Sequence, residues 1–214
     1  MHVMMKWMRM LCAGLAIGLM GSGMAVAAEE KLLVDDFEGR DQMRNRLGNR
    51  ANVYIKAPSR VKYSYSPQQL GGAQTTALKL GYDKKADTEG AGSGGWCGYY
   101  TVLKGFKGGE DVYVDASDKK AVTLWVKGQQ GGETFAVGLA DRTWDQQEDS
   151  RKAGAIGQYL PAGVVTTEWQ QATIPLEEFF VDNAQLATIS INFEADLMPE
   201  GGAGVVYIDE MAIE

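Results

Sequence analysis

Short stretches in which apolar and polar residues alternate, each closed off by Gly, Asp or Pro, run through this chain from Leu32 to Ile213. A period of two puts successive side chains on opposite faces, so each stretch is expected to be a strand with one buried face. The stretches are LLVDDFE (32–38), RVKYSYS (60–66), ALKLGY (77–82), GWCGYYTVL (95–103), AVTLWVKG (121–128), ETFAVGLAD (133–141), AIGQYL (155–160), EWQQATI (168–174), LATISINFE (186–194) and GVVYIDEMAI (204–213). QQGG joins two of them with residues that suit a hairpin turn. The one helical signal is PLEEFF (175–180), with Pro and Glu placed as in a first turn. Strands this short and this numerous predict an all-β fold, a two-sheet antiparallel β-sandwich.

The first residues read differently. Lys6 and Arg9 precede the apolar run MLCAGLAIGLMGSGMAV, and AVAA at 25–28 has the small-residue pattern of a cleavage site. The run is short and broken by Gly for a membrane span, and Cys12 lacks the neighbours of a lipidation site. Residues 1–27 are therefore expected to be a cleaved secretory signal, leaving 28–214 as one periplasmic or secreted domain. Losing Lys6 and Arg9 makes the formal net charge of −7 more negative by two. So acidic a chain, with no basic cluster, argues against nucleic acid as a partner.

Histidine narrows the chemistry further. The only one, His2, falls in the signal, so the mature chain holds no Ser-His-Asp triad, Cys-His pair or imidazole metal ligand. Cys97 is the one cysteine after the signal; an odd thiol is either a reactive or intermolecular site or, more often, a small buried hydrophobe. Gly90-x-Gly92-x-x-Gly95 has the letters of a dinucleotide fingerprint, but a β-like segment follows it where that motif needs a helix.

The two faces of several strands differ in kind. Val122, Leu124 and Val126 oppose Thr123, Trp125 and Lys127. Phe135, Val137 and Leu139 oppose Ala136, Gly138, Ala140 and Arg142, and Ile189, Ile191 and Phe193 oppose Ser190, Asn192 and Glu194. The first set in each case is expected in the core. The second sets, small or polar with an aromatic, either leave room for a ligand on the sheet or form a solvated face. Tyr99 and Tyr100 are adjacent, so one of them faces away from the core. The loop DRTWDQQEDSR (141–151) places Trp144 among carboxylates and arginines, a mixture that suits sugars: a ring packs on the pyranose C–H face while charged groups hold hydroxyls.

The ordered pieces VDDFEG, VTLWVKG, TTEWQQATIPLEEF and VVYIDEMAI resemble the galactose-binding-like jelly rolls, in particular carbohydrate-binding module family 11 and the related complex I intermediate-associated protein 30 domain. The resemblance spans about Leu33 to Ile213 and implies a jelly roll whose terminal strands are neighbours, with a non-catalytic sugar-binding role. It brings Asp209 near Asp36 and Glu38, and implies a structural Ca²⁺ on Asp36, Glu38 and Asp209; alternatively these acids face water or pair with Arg40 or Arg44.

Three functions follow. A binding module would hold a poly- or oligosaccharide on a concave sheet face through Trp125, Arg142, Trp144, Tyr159, Asn192 and Glu194. A glycoside hydrolase or lyase would need a carboxylate pair, for which Asp141, Asp145 and Glu148 are candidates. A protein-interaction domain would engage an envelope protein.

Overall fold

The computed structural model describes residues 31–39, 43–87 and 94–214, so residues 1–27, expected from sequence to be a signal, lie outside the described residues, as do Arg40 and most of the glycine-rich stretch. The strands are β1 (Leu32–Asp35), β2 (Ala51–Lys56), β3 (Arg60–Leu70), β4 (Ala73–Lys84), β5 (Trp96–Val102), β6 (Gly105–Lys107) and β7 (Glu110–Val112). They continue with β8 (Ala121–Gly128), β9 (Ala136–Asp141), β10 (Arg151–Ala155), β11 (Gln170–Pro175), β12 (Leu186–Phe193) and β13 (Gly202–Ile213). The helix α1 (Arg142–Asp145) is a single turn.

Sheet one has the order β11-β8-β13-β4-β3, with β1 also beside β13; sheet two has the order β10-β9-β12-β5-β2. All their pairings are antiparallel. The alternation expected from sequence is what closes the sandwich. Val122, Leu124 and Val126 of β8 are sealed against Val137 and Leu139 of β9 and Ile189, Ile191 and Phe193 of β12 in one apolar cluster. Tyr82 of sheet one stacks on Phe193 of sheet two, ring centroids 4.0 Å apart. Cys97 is buried in the same core as a small hydrophobe, and desolvation pushes its thiol up to about 11.

The terminal strands are neighbours, Leu32 opposite Ile213 and Leu33 opposite Ala212. A bulge in β13, with Glu210 at φ 48°, shifts its register against β8 between Asp209 and Ala212. The extra residue reverses the parity of the strand, so Val206 and Ile208 before it and Met211 and Ile213 after it all reach the core.

Four details differ from the sequence reading. QQGG closes no hairpin: β8 lies in sheet one and β9 in sheet two, so the glycines, at φ 86° and 83°, carry the chain across the sandwich edge. Residues 156–159 form a 3-10 turn, and the strand is Arg151–Ala155 just before it. ANVYIK, which alternates Ala51, Val53 and Ile55 with Asn52, Tyr54 and Lys56, is strand β2 and completes the edge of sheet two. β6 and β7 pair as a hairpin whose strands, three residues each, are too short for alternation to mark. PLEEFF does form a short 3-10 turn, Leu176–Phe179, preceded by Pro175. Among the described residues no helix is long and apolar enough to cross a membrane.

Candidate functional site

The outward face of sheet two carries a groove of about 950 Å³. Its floor is set by cross-strand rows. Lys152, Gly138, Ser190, Tyr100 and Asn52 form one row across all five strands, and Ala136, Asn192, Gly98 and Tyr54 form the next. The glycines are what make the floor low. A Cβ on Gly138 would run into the hydroxyls of Ser150 and Ser190 and the Asn192 amide, and a Cβ on Gly98 would run into the Tyr54 ring. Tyr54 therefore lies across Gly98, and its hydroxyl hydrogen-bonds to Asn192 Oδ1. Burial raises the pKa of this phenol, with Glu194 adding to the effect. Asn192 donates its amide to Ala136 O (3.2 Å) and Ser190 Oγ (3.0 Å), so it holds the floor together.

The walls are aromatic and acidic. Trp96, at the start of β5, is 40% exposed, and the Lys56 ammonium stands 4.0 Å from its ring centroid. Tyr100 is half-buried in the floor, while its neighbour Tyr99 is sealed in the core. On the opposite wall the chain leaving β9 is turned by Asp141, whose buried carboxylate caps α1 by accepting from Thr143 N and Trp144 N and also accepts from Asp182 N. This cap sets Asp145, Glu148 and Asp149 along the rim. Lys152 bridges Asp149 (3.3 Å) and Glu194 (3.2 Å); desolvation opposes its charge, but these two acids outweigh it and raise its pKa. Asp87 and Asp196 complete an acidic lining in which, among the described residues, Lys152 is the sole basic one.

The residues expected from sequence are dispersed. Asn192 and Glu194 line the groove, the former as a fully engaged buried amide. Arg142 lies outside it, its guanidinium 5.9 Å from the Tyr113 ring centroid, and Trp144 packs beneath Arg151 at 5.3 Å. The Tyr159 hydroxyl accepts from Gly154 N and donates to Glu178, away from the groove. Trp125 belongs to sheet one and points away from the core on the opposite side of the molecule, because its neighbours Leu124 and Val126 point in. The groove is lined instead by Tyr54, Trp96 and Lys152, together with Tyr100, the outward member of the Tyr99–Tyr100 pair. The parity of Gly138, Ser190 and Asn192 marked the floor; only strand order could reveal which aromatics stand beside it.

The edge formed by β1 and β13 gathers acids too. Thr75 Oγ1 lies 2.9 Å from Glu38 Oε1 and 2.7 Å from Asp209 Oδ2. One hydroxyl has one proton to give, so it cannot serve both carboxylates at once. Asp209 is fully buried, and desolvation raises its pKa to about 6, with Glu210 and Glu38 adding to the rise. Asp36 instead forks onto Arg46 at 2.7 and 2.6 Å, where sequence pointed to Arg40 or Arg44. Asp35, buried alongside, is likewise raised to about 6 by desolvation. No group of three or more acidic, His or Cys side chains surrounds a common point among the described residues.

Residues 52–214 match the sequence model of carbohydrate binding domain 30. The fold is similar to the family 11 carbohydrate-binding module of a cellulosomal cellulase of Clostridium thermocellum, with TM-score 0.58 and 13% identity over 87% of this chain and 95% of that one. It is also similar to the family 11 module from Clostridium thermocellum in complex with a β-1,3-1,4-mixed-linked tetrasaccharide, with TM-score 0.59 and 12% identity over 86% and 94% of the two chains. No curated protein matches the chain.

Proposed function

The chain belongs to the carbohydrate binding domain 30 family, and from that premise we propose that it binds a neutral poly- or oligosaccharide in the sheet-two groove without cleaving it. The observation that carries this reading is the pairing of aromatic rings, Trp96 and Tyr100, with a low floor of Gly138, Ser190 and Asn192. Rings take the apolar face of a pyranose, and the hydroxyls and carboxylates around them take its edge. The carboxylates of Asp145, Glu148, Asp149, Glu194 and Asp196 repel an anionic polymer, which selects for an uncharged one. The mixed-linked β-glucan held by the similar family 11 module is the natural first probe.

Affinity electrophoresis on a panel of polysaccharides tests this. Wild type is retained by a neutral glucan; Tyr100→Ala and Trp96→Ala each weaken retention roughly tenfold. Release of new reducing ends from any retained polymer sinks the non-catalytic part of the reading, and equal retention of both variants sinks the groove.

Export and calcium belong to the same proposal. The segment 1–27 directs the chain out of the cytoplasm, which amino-terminal sequencing of the protein from an expressing culture checks: the mature chain begins at Ala28. Glu38 and Asp209, two carboxylates facing one hydroxyl, are hard oxygen donors of the kind Ca²⁺ takes. Asp36, committed to Arg46, is left out of this set.

A further inference from the structure

Beyond the Asp145 end of the groove stands the β6–β7 hairpin. Phe106 pairs with Asp111 across it, and Gly105 with Val112. Partners directly opposite share a face and successive pairs alternate. Lys104 and Tyr113 flank the base of the hairpin. Two ion pairs fix where the face of Phe106 and Asp111 looks: Lys104 Nζ bridges Asp111, at 2.7 Å, and Asp145, which lines the groove. The same ammonium stands 5.6 Å from the Tyr113 ring centroid, and the Arg142 guanidinium 5.9 Å from that ring. Phe106 is 75% exposed, an aromatic ring held in water beside the groove end.

We propose, resting on the glycan reading of the groove, that Phe106, Tyr113 and Arg142 form a platform continuing the groove past Asp145, which binds further sugar units of the same neutral chain. The Phe106 ring takes the C–H face of one unit, and Arg142 and Lys104 donate to its hydroxyls. The protein then favours a long glycan over one that fills the groove alone.

Calorimetric titration with the mixed-linked β-glucan tetrasaccharide and with the parent polymer tests the platform. Phe106→Ala weakens polymer binding roughly three- to tenfold and leaves the tetrasaccharide unchanged, and Arg142→Ala moves the same way. Phe106→Trp restores the preference for the polymer. Unchanged polymer affinity in Phe106→Ala overturns the platform, as does an equal loss for both ligands. Wild type that binds neither ligand overturns the groove reading along with it, a result distinct from loss of the length preference alone.

Discussion

Gly138 shows how much a single position decides in this site. Its missing side chain lets Ser150, Ser190 and the Asn192 amide close together beneath the groove. Gly138→Ala is expected to cost about 1–3 kcal/mol, the range for overfilling a packed region, and to weaken glycan retention because the floor rises; urea denaturation and affinity electrophoresis read the two effects. Tyr54→Phe is gentler in shape yet strips the Asn192 carbonyl of its phenol donor. A buried acceptor left alone costs about 1–3 kcal/mol, so a lowered urea midpoint is expected without loss of fold. At this scale the sequence was partly legible. Gly138, Ser190 and Asn192 fell on one outward face by parity, and one of Tyr99 and Tyr100 had to turn outward. Tyr54 was not legible, since its place across Gly98 depends on the pairing of β2 with β5, which alternation alone does not give. Trp144 and Tyr159 looked like ligand aromatics in sequence, but each is occupied by local contacts that only the turn geometry reveals.

Among the elements, the paired terminal strands govern the response to pH and cations. Asp35 on β1 is raised from 3.8 to about 6, so between those values the folded chain binds more protons than the unfolded one. Its contribution to stability is fully present below about pH 3.8 and is lost as the pH rises through about 6. In EDTA the melting temperature should therefore rise as the pH is lowered from about 7 toward 5, and Asp35→Asn should lessen that slope, with Asp209, raised to about the same value, carrying the rest; a wild-type profile already flat there contradicts the assignment. Calcium enters through the neighbouring pair. If Glu38 and Asp209 hold the ion, millimolar Ca²⁺ raises the melting temperature at neutral pH by mass action, and Asp209→Asn abolishes the rise. The acids were visible in VDDFE and YIDE, and the pairing of the two strands was implied by the family resemblance. The bulge at Glu210 was not, because it is set by which of Ile208 and Met211 must face the core.

Across the whole molecule, the separation of the two sheets determines which surfaces can act together. Trp125 looks outward from sheet one and the groove from sheet two, so Trp125→Ala should leave glycan retention unchanged while Tyr100→Ala removes most of it, a contrast read on one affinity gel. A neutral ligand in an acidic groove should also bind with little dependence on salt, since no ion pair with the ligand is screened. Strand character and the inward faces of β8, β9 and β12 were determined by the sequence itself, because period-two patterning is a local property carried by the residues, while the sugar-binding family and the adjacency of the chain ends were implied by the resemblance that the ordered segments carry. Which outward face becomes the groove, which aromatics border it, and that QQGG joins sheets instead of pairing strands were decided only in the tertiary structure. Alternation tells a residue inside from outside; it does not say which of two sheets a strand joins, and that choice rests on long-range packing between strands far apart in the chain.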